Sequence, residues 1–333
     1  MKSPVRIVLV GQGPIGTRCL ELALARPQQV QVVGVVDIDP AKAGQDAGLC
    51  AGLGREIGIP VSADATALYD AVRPDAVILC TSSRLADIHQ QIEDAAGRGI
   101  DLVSCAEELL FPTYSNPEIA KRLDDVARAA GATVVGTGVN PGFLMDLLPV
   151  MLSAAVYSVE HVTATRTVDA ATRREPLQRK VGAGLTLQEW RDRAATGRFG
   201  HVGMPESVAL VGHALSLELD DIECTLEPVI SDRTIQTEFL EVRADAPAGI
   251  RNIGMGRSKG IERVRLDLAM YVGAREPRDT VSLEGDPPLE LIIPGGTPGD
   301  SATAAILLNT LPRVVSAPPG LSTVLELPPA RCG

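Results

Sequence analysis

The feature that most constrains this chain is an apolar run near its start that leads directly into a turn with three glycines. Ile7-Val8-Leu9-Val10 has the composition of a buried strand, and Gly11-Gln12-Gly13-Pro14-Ile15-Gly16 separates it from a helix-like segment. A second apolar run follows and ends at Asp37, 21 residues after Gly16. Strand, GxGxxG turn, helix, strand and acid in this order form the dinucleotide-binding fingerprint of a Rossmann βαβ unit.

Each part of this fingerprint has a physical role. The first glycine permits the tight turn, the second lets the backbone approach a pyrophosphate, and the third allows the helix to pack closely on the strand. Asp37 is expected to accept hydrogen bonds from the adenosine ribose and to repel a 2′-phosphate, which favours NAD over NADP. No Arg follows within the next turn, only Lys42, and use of both cofactors is the alternative. The alternatives are a glycine turn without a ligand and an Asp37 that only caps the next helix.

The first half of the chain alternates short apolar runs with helix-like segments. Strands are predicted at 5–10, 30–37, 76–80, 102–105 and 133–136, and helices at 16–25, 67–72, 85–97 and 117–130. The runs are continuously apolar, as in strands buried on both faces of a parallel sheet. This alternation predicts an α/β fold with a Rossmann doubly wound parallel sheet.

After about residue 150 the pattern changes to one typical of an α+β domain with a largely antiparallel sheet. Strands are predicted at 159–168, 224–230, 235–244, 262–271, 280–285 and 289–293. Helices are predicted at 186–195, where Thr186 and Glu189 form a capping box, and at 206–217 after Pro205. A last helix begins at Asp300 or Ser301, ends before Pro312, and precedes an extended piece at 321–327.

Composition excludes several classes of partner. The chain has 333 residues with 31 Lys and Arg against 42 Asp and Glu, a net charge of −11 that repels nucleic acid and anionic membranes. Apolar stretches stay shorter than the roughly 20 residues that span a bilayer. The six cysteines lack a CxxC pair or zinc spacing, so neither metal nor disulfides are expected. Met1-Lys2-Ser3-Pro4 does not resemble a signal peptide, so a cytoplasmic location is expected.

Polar residues follow three further predicted strands of the first domain. Thr81 and Ser82 come after the strand at 76–80, where a cofactor passes in such sheets, although a plain polar loop is nearly as good an interpretation. Glu107 and Glu108 follow the strand at 102–105, and because successive residues of a strand point to opposite sides, one of them is expected to face the nicotinamide. A half-buried carboxylate there can act as a base, or both can pair with or cap the next helix.

Asn140 follows the strand at 133–136 in the loop Thr137-Gly138-Val139-Asn140-Pro141-Gly142. Its side chain offers both an acceptor and a donor, which suits the carboxamide of nicotinamide. The alternative is that Asn140 only forms the turn before Pro141.

Four motifs in this order, GQGPIG, CAEELLFP, GTGVNPGF and GDSATAAILLNTLP, resemble those of the native amine dehydrogenases and 2,4-diaminopentanoate dehydrogenase, over essentially the whole chain. The larger grouping has a dihydrodipicolinate-reductase-like N-terminal domain. The resemblance implies a cofactor domain at 1–145 completed by 300–333, and a substrate-binding and dimerisation domain at 146–299. It further implies a homodimer and NAD(P)-dependent interconversion of an amine with a carbonyl compound and ammonia.

The resemblance also implies roles for individual residues. Glu108 matches the catalytic glutamate best, with Glu107 as the second choice. Motif match and position place Phe143, Met145, Arg166 and Thr303 near the substrate. Arg166 has two interpretations, one as an anchor for a substrate carboxylate and one as the partner of a glutamate that shapes the pocket.

Several alternatives stay open at this point. The paired histidines and the lysine loop of dihydrodipicolinate reductase are missing, so the dicarboxylate substrate of that enzyme is disfavoured. The loop around His201 is either a lid or a structural element, and His213 is expected in the core. Function is either a simple amine dehydrogenase, a diaminopentanoate dehydrogenase, or a non-catalytic NAD-binding regulator.

Overall fold

The computed structural model describes residues 3–332, so Met1 and Lys2, on which the expectation of no signal peptide partly depends, lie outside it. The described chain divides into two compact units. The first comprises the chain up to Phe143 together with the chain from Pro298 onward, and the second comprises Leu144–Thr297. The predicted boundaries, after residues 145 and 299, each lie two residues further along.

The first part of the chain alternates strands with helices. Its strands are β1 (Val5–Val10), β2 (Val30–Val36), β3 (Val61–Ser62), β4 (Ala76–Leu79), β5 (Asp101–Ser104) and β6 (Thr133–Gly136). Its helices are α1 (Pro14–Leu24), α2 (Ala47–Cys50), α3 (Ala65–Val72), α4 (Leu85–Ala96), α5 (Pro112–Ser115) and α6 (Pro117–Ala130).

The remaining elements belong to the second unit, except for the last two, which return to the first. The helices of the second unit are α7 (Leu147–Leu152), α8 (Glu175–Lys180), α9 (Leu187–Ala195) and α10 (Met204–Ala214). Its strands are β7 (Ser158–Asp169), β8 (Asp221–Ile230), β9 (Ile235–Gln236), β10 (Glu241–Val242), β11 (Pro247–Ser258), β12 (Ile261–Tyr271), β13 (Arg278–Asp286) and β14 (Leu289–Pro294). The tail contains α11 (Gly299–Val314) and β15 (Gly320–Ser322).

The sheet of the first unit has the strand order β15-β6-β5-β4-β1-β2-β3, and all of its pairings are parallel. β4 is buried along its whole length, as a strand covered on both faces must be. Helices α4 and α6 cover the sheet with Ile88, Ile92 and Leu123. The order 3-2-1-4-5-6 confirms the predicted Rossmann topology, with β15 added beside β6.

The second unit contains a six-stranded sheet in the order β14-β13-β7-β12-β11-β8. All pairings are antiparallel except the parallel pair of β12 and β7, which confirms the predicted, largely antiparallel sheet. Helix α10 packs on β8, β11 and β12. A separate cluster is built around Trp190, whose ring meets Phe199 edge to face with 5.4 Å between centroids.

The long strand β11 was not predicted, because its glycines at 249, 254 and 256 are unfavourable inside strands. Here Gly254 and Gly256 make room for the helix packed on the sheet. A Cβ on Gly254 would lie 2.7 Å from Met204 and 2.8 Å from Val208, both on α10, and one on Gly256 would lie 2.8 Å from Val208. The helix can approach the sheet only where β11 has no side chains.

Three other predictions about elements are wrong. The strand expected at 235–244 is instead the two-stranded hairpin of β9 and β10, with a turn organised by Thr237, whose hydroxyl accepts the Phe239 and Leu240 amides. Pro312 does not end the last helix, since α11 continues to Val314. His213 is exposed rather than buried in the core.

Candidate functional site

The glycine turn after β1 has the shape that a dinucleotide phosphate requires. Gly11 has φ +91, and a Cβ there would lie 2.7 Å from the Cys80 carbonyl oxygen. A Cβ on Gly16 would lie 1.9 Å from the Gly11 carbonyl oxygen, so these two glycines are required by the chain's own packing. A Cβ on Gly13 would meet no atom within 4 Å among the described residues. Gly13 therefore borders open space at the start of α1, where helix amides favour an anion.

Asp37 is held at the end of β2 by three donors. One carboxylate oxygen accepts the Gln12 N–H at 2.9 Å and the Lys42 ammonium at 2.7 Å, and the other accepts the Asp39 N–H at 2.9 Å. Burial by itself raises the pKa of Asp37, but these hydrogen bonds outweigh it, so that the pKa lies below its ordinary value. The alternative role, capping the next helix, belongs to Asp46, whose carboxylate accepts the Gly48 N–H.

Thr81 and Ser82 follow β4 at the same edge of the sheet as the glycine turn. The Thr81 hydroxyl donates to Gln91 at 3.1 Å, and the Ser82 hydroxyl donates to Asp87 at 2.9 Å. Both partners lie on α4, so these hydroxyls fix the loop to the helix that follows it.

The acid pair lies on a single 3₁₀ turn, Glu107–Leu109, and not on an extension of β5. With about three residues per turn, neighbouring side chains diverge around the axis instead of alternating across a strand. One Glu108 oxygen accepts the Leu85 N–H at 2.8 Å, and the other lies 3.6 Å from the Arg84 guanidinium. The Glu108 side chain is 15 % exposed. It is thus tied to the start of α4 while keeping partial access to its surroundings.

Packing at the end of β6 brings the asparagine loop against this acid turn. A Cβ on Gly136 would lie 2.4 Å from the Leu109 backbone, so the two segments touch directly. Asn140 lies in the loop beyond, and the Asn140–Pro141 peptide is cis. The Thr303 hydroxyl, on α11, accepts the Val139 N–H at 3.2 Å, which fixes the loop to the last helix. Within this unit, the segments that carry Asn140, Thr303 and Glu108 are therefore packed together.

In the second unit, Arg166 forms a buried pair with Asp279, opposite it on the neighbouring strand β13. The Arg166 Nε lies 3.5 Å from Asp279 Oδ1, and each side chain is 5 % exposed. Arg166 Nη2 donates to the Thr297 carbonyl at 2.5 Å, and Asp279 Oδ2 accepts the Thr297 N–H at 2.7 Å. Burial lowers the pKa of Arg166 from its ordinary value, against the opposing charge of Asp279.

This pair also contains atoms without hydrogen bonds. Among the described residues, Arg166 Nη1 and Asp279 Oδ1 are buried and lack a hydrogen-bond partner. A buried donor without an acceptor is costly, so Nη1 is suited to bind a polar group brought by a ligand. The sequence suggested a glutamate as the partner of Arg166, but the partner is the aspartate Asp279, to which no local signal pointed.

His201 lies in the loop before α10, and its backbone N–H donates to Asn252 on β11 at 3.0 Å. Burial, with the positive charges of Lys180 and Arg166, lowers the pKa of His201 to about 3. The imidazole is therefore neutral at pH 7. Gly200, next to it, faces Leu226 and Asn252, so this part of the loop packs on β8 and β11.

The remaining predicted pocket residues divide between the units. Phe143 is half-buried at the end of the first unit, and Met145 is buried near the start of the second. Neighbouring Asp146, missed by sequence reasoning, is fully buried and accepts the Ser207 hydroxyl at 2.8 Å. A single aspartate before a short helix has no distinctive signal in a sequence.

Residues 3–332 contain neither a membrane-spanning helix nor a cluster of metal-binding side chains. No helix there combines the length and apolar character needed to cross a membrane. The same residues contain no group of three or more His, Cys, Asp or Glu side chains able to hold a metal ion.

Together, the parallel sheet, the phosphate turn and Asp37 define an NAD-binding Rossmann oxidoreductase. Residues 5–137 match the oxidoreductase family with an NAD-binding Rossmann fold. Residues 143–332 match the 2,4-diaminopentanoate dehydrogenase C-terminal domain, more than half of the chain. The chain belongs to the 2,4-diaminopentanoate dehydrogenase family.

Individual relatives are similar over nearly their whole length. The 2,4-diaminopentanoate dehydrogenase of Acetoanaerobium sticklandii is 27 % identical over 340 residues, covering 98 % of this chain and 94 % of the relative. An amine dehydrogenase of Streptomyces virginiae is 25 % identical, covering 97 % and 96 %. The solved structure of an amine dehydrogenase from Mycobacterium smegmatis is 26 % identical, with a TM-score of 0.87 over 99 % of this chain and 98 % of that one.

Proposed function

We propose that this protein is an NAD(P)-dependent amine dehydrogenase that reversibly converts a small aliphatic ketone or aldehyde and ammonia into the amine. The observation that carries the proposal is Glu108, a carboxylate held by the first N–H of α4 and by Arg84. It lies on the turn after β5, at the edge of the sheet where the glycine turn follows β1. In Rossmann folds the reacting end of the dinucleotide lies at this edge.

Glu108 serves the chemistry by moving protons. Ammonium predominates at neutral pH, and its nitrogen becomes nucleophilic only after a proton is removed, which we assign to the Glu108 carboxylate. Ammonia then adds to the carbonyl carbon and forms a carbinolamine. Glu108 returns the proton to the departing hydroxyl, so that water leaves and a C=N bond forms.

The iminium produced carries a positive charge that the Glu108 carboxylate stabilises. Because the Glu108 side chain is mostly buried, this attraction is weakly screened by water. When bound at the glycine turn and Asp37, NADH would supply the hydride that reduces the iminium carbon, and in the reverse direction NAD would accept it. Ketone, ammonium and NADH thus give amine, water and NAD with atoms and charge balanced.

The other proposed site residues bind the cofactor and the substrate and orient them. Gly11, Gln12, Gly13, Pro14, Ile15 and Gly16 surround the pyrophosphate, and Asp37 faces the adenosine ribose. We assign Thr81, Ser82 and Asn140 to the nicotinamide half, with Asn140 on the carboxamide. We assign Phe143, Met145, Arg166 and Thr303 to substrate binding, and we propose residues 146–299 as the substrate-binding and dimerisation domain.

A second candidate substrate follows from Arg166. Its buried Nη1 lacks a hydrogen bond among the described residues, and a substrate carboxylate supplies the acceptor that it needs. A 2,4-diaminopentanoate dehydrogenase activity would use it in this way. The relative rates with 2,4-diaminopentanoate and with simple ketones plus ammonium separate the two candidates.

The experiment that tests the proposal is NADH oxidation over a panel of linear and cyclic ketones and aldehydes, with and without ammonium. We expect turnover that requires both a carbonyl compound and ammonium. NADH binding without ammonium-dependent turnover anywhere in the panel would instead support a non-catalytic regulatory protein.

We also propose that the protein is a cytoplasmic homodimer whose interface is the face of the second sheet opposite α10. Side chains there are half-buried and form ion pairs across strands, such as Arg251 with Asp267 at 2.5 Å. Thr163 and Thr165 of β7 lie on the same face. A partly apolar sheet face with its charges already paired is suited to pack against a second copy.

A further inference from the structure

Two of the free cysteines lie side by side at the edge of the parallel sheet where a Rossmann fold binds its dinucleotide. Leu79 and Ser104 are the last paired residues of β4 and β5, so Cys80 and Cys105 occupy the next position of the same register. The Cys105 N–H donates to the Leu79 carbonyl at 3.3 Å, which continues the ladder by one residue. Residues opposite each other in neighbouring strands point to the same face, so the two side chains are neighbours.

The two thiols are in contact with each other. A hydrogen bond joins the Cys80 and Cys105 side chains, and Cys80 also shares one with Cys19 of α1. The Cys105 Sγ lies 3.9 Å from the Leu79 carbonyl oxygen, so it turns toward β4. Neighbouring strands lie about 4.8 Å apart, within the Cα separation of roughly 4.4 to 6.8 Å that a disulfide spans. Cys80 and Cys105 are therefore placed to form a disulfide without movement of the strands.

Exposure separates this pair from the third thiol. Cys80 and Cys105 are half-buried, whereas Cys19 is completely buried. A small reagent that approaches the edge of the sheet can therefore reach the pair but not Cys19. Cys80 also touches the glycine turn, since a Cβ on Gly11 would lie 2.7 Å from the Cys80 carbonyl oxygen. A dinucleotide bound at this turn would cover the pair.

The protonation of the two thiols sets how fast they can react. The hydrogen bond with Cys105 by itself lowers the pKa of Cys80, but the bond with Cys19 and burial outweigh it, so the pKa lies well above its ordinary value. The hydrogen bond with Cys80, followed by burial, raises the pKa of Cys105 in the same direction. Because a thiolate is the form that attacks a disulfide, the pair should react slowly near neutral pH and faster as the pH rises.

We propose that Cys80 and Cys105 form a dithiol modification site that a small disulfide oxidises to an intramolecular disulfide, and that a bound dinucleotide protects. One cysteine thiolate attacks the reagent, forms a mixed disulfide and releases the first half of the reagent as a thiol. The other cysteine thiolate then attacks the protein sulfur of the mixed disulfide and releases the second half. Two protein thiols are thereby oxidised and lose two protons, and the reagent is reduced to two thiols that take them up. The inference does not depend on the proposed reaction or on Glu108.

Peptide mapping of the full-length protein by mass spectrometry tests this without turnover. The reagent is hydroxyethyl disulfide, which is neutral and does not compete for an anion site, applied at pH 7 and pH 8.5 with and without saturating NAD. We expect a Cys80–Cys105 disulfide in the free protein, formed about 30-fold faster at pH 8.5, because the thiolate fraction rises about tenfold per pH unit below the pKa. NAD should slow its formation by about tenfold or more, while modification of the exposed Cys332 continues unchanged.

Cys50→Ser is the matched control, since Cys50 is half-buried in the same unit but its Sγ lies against the Lys42 carbonyl oxygen, at 4.0 Å. It should leave formation of the disulfide unchanged, whereas Cys80→Ser and Cys105→Ser should abolish it, and melting temperatures verify that the variants are folded. In the wild type, finding the two cysteines free, carrying only separate mixed disulfides, or linked to Cys19 would overturn the proposal. Equal rates with and without NAD would overturn it as well, because the dinucleotide would then not cover the pair.

Discussion

At the scale of single residues, Arg166 and Asp279 form a buried ion pair whose contribution to stability can be measured. Both side chains are almost completely buried, and Thr297 connects them through its carbonyl and its N–H. A buried pair gains little net stability, since desolvation offsets the attraction, but removing one partner leaves an uncompensated charge. Within residues 3–332, Arg166 Nη1 makes no hydrogen bond, so this atom adds no hydrogen bond to the stability of the fold.

We therefore predict strong coupling between these two residues in urea unfolding. Arg166→Met and Asp279→Leu should each lower the free energy of unfolding by about 3 kcal/mol, and the double variant should recover most of that loss. The double variant should nevertheless bind carboxylate-bearing substrates more weakly. Purely additive losses would show that the pair does not interact energetically.

Some of the residues in these sites could be predicted from the sequence, and others could not. Asp37 and the glycines could be found because their spacing is tied to a shape that few residues can adopt. Asp279 and Asp146 could not, because each depends on a partner 113 or 61 positions away, Arg166 and Ser207 respectively. Lys42 was visible next to Asp37, but the sequence does not say that the two side chains pair.

At the scale of elements, the turn between β1 and α1 separates residues needed by the fold from residues needed by the ligand. Gly13→Ala places a methyl group in open space, so the melting temperature should change little while NAD binding weakens by more than about tenfold. Gly16→Ala places its methyl group 1.9 Å from the Gly11 carbonyl, so it should destabilise the fold. Thermal melts and NAD titrations of the two variants measure this contrast. NAD binding unaffected by Gly13→Ala would contradict the assigned phosphate site.

Asp101, at the start of β5, leads to a prediction about how the stability of the fold depends on pH. Asp101 accepts the Thr133 N–H of β6 at 2.7 Å, while burial, aided by the charge of Asp75, raises the pKa of Asp101 to about 6. A carboxyl whose pKa is raised on folding stabilises the native state at low pH. Stability is then lost as the pH rises from the unfolded value of about 3.8 through about 6.

Asp101→Asn removes this titration. Relative to the wild type, the variant should gain stability between pH 4 and pH 7, by about 1 kcal/mol after allowance for solvent screening, and the gain should level off above pH 7. Urea unfolding of both proteins across this range checks the prediction. A difference that is independent of pH would mean that Asp101 does not titrate in this window.

The sequence predicts a helix or strand accurately where nearby residues mark both of its ends. β6 and α6 were predicted with their observed bounds, since apolar composition, Pro117 and Gly131 all mark the same limits. The 12-residue β11 was missed because it contains glycines, and two of them, Gly254 and Gly256, make room for α10, a helix more than 30 residues earlier in the chain. A packing requirement between distant elements leaves no periodic signal in the strand itself.

At the scale of the whole molecule, the proposed homodimer predicts that one surface substitution changes the assembly. Thr165 lies on the proposed interface face, beside Asp267 of β12 and Thr280 of β13. Thr165→Arg should place an unpaired charge in the interface and give a monomer by light scattering. Gln28→Arg, at an exposed position between α1 and β2 of the first unit, is a control that should remain dimeric. A wild type that is monomeric at micromolar concentration would contradict the assignment.

The central claim, that Glu108 moves the protons of an amine-forming reaction, is tested most directly by two neighbouring variants. Initial rates of NADH oxidation with cyclohexanone and ammonium are compared for the wild type, Glu108→Gln and Glu107→Gln, with NADH affinity measured for each. Glu108→Gln should lower the rate by about 10²- to 10⁴-fold with unchanged NADH affinity, and Glu107→Gln should stay within about threefold of the wild type. A Glu108→Gln protein that keeps most of its ammonium-dependent rate would contradict the account.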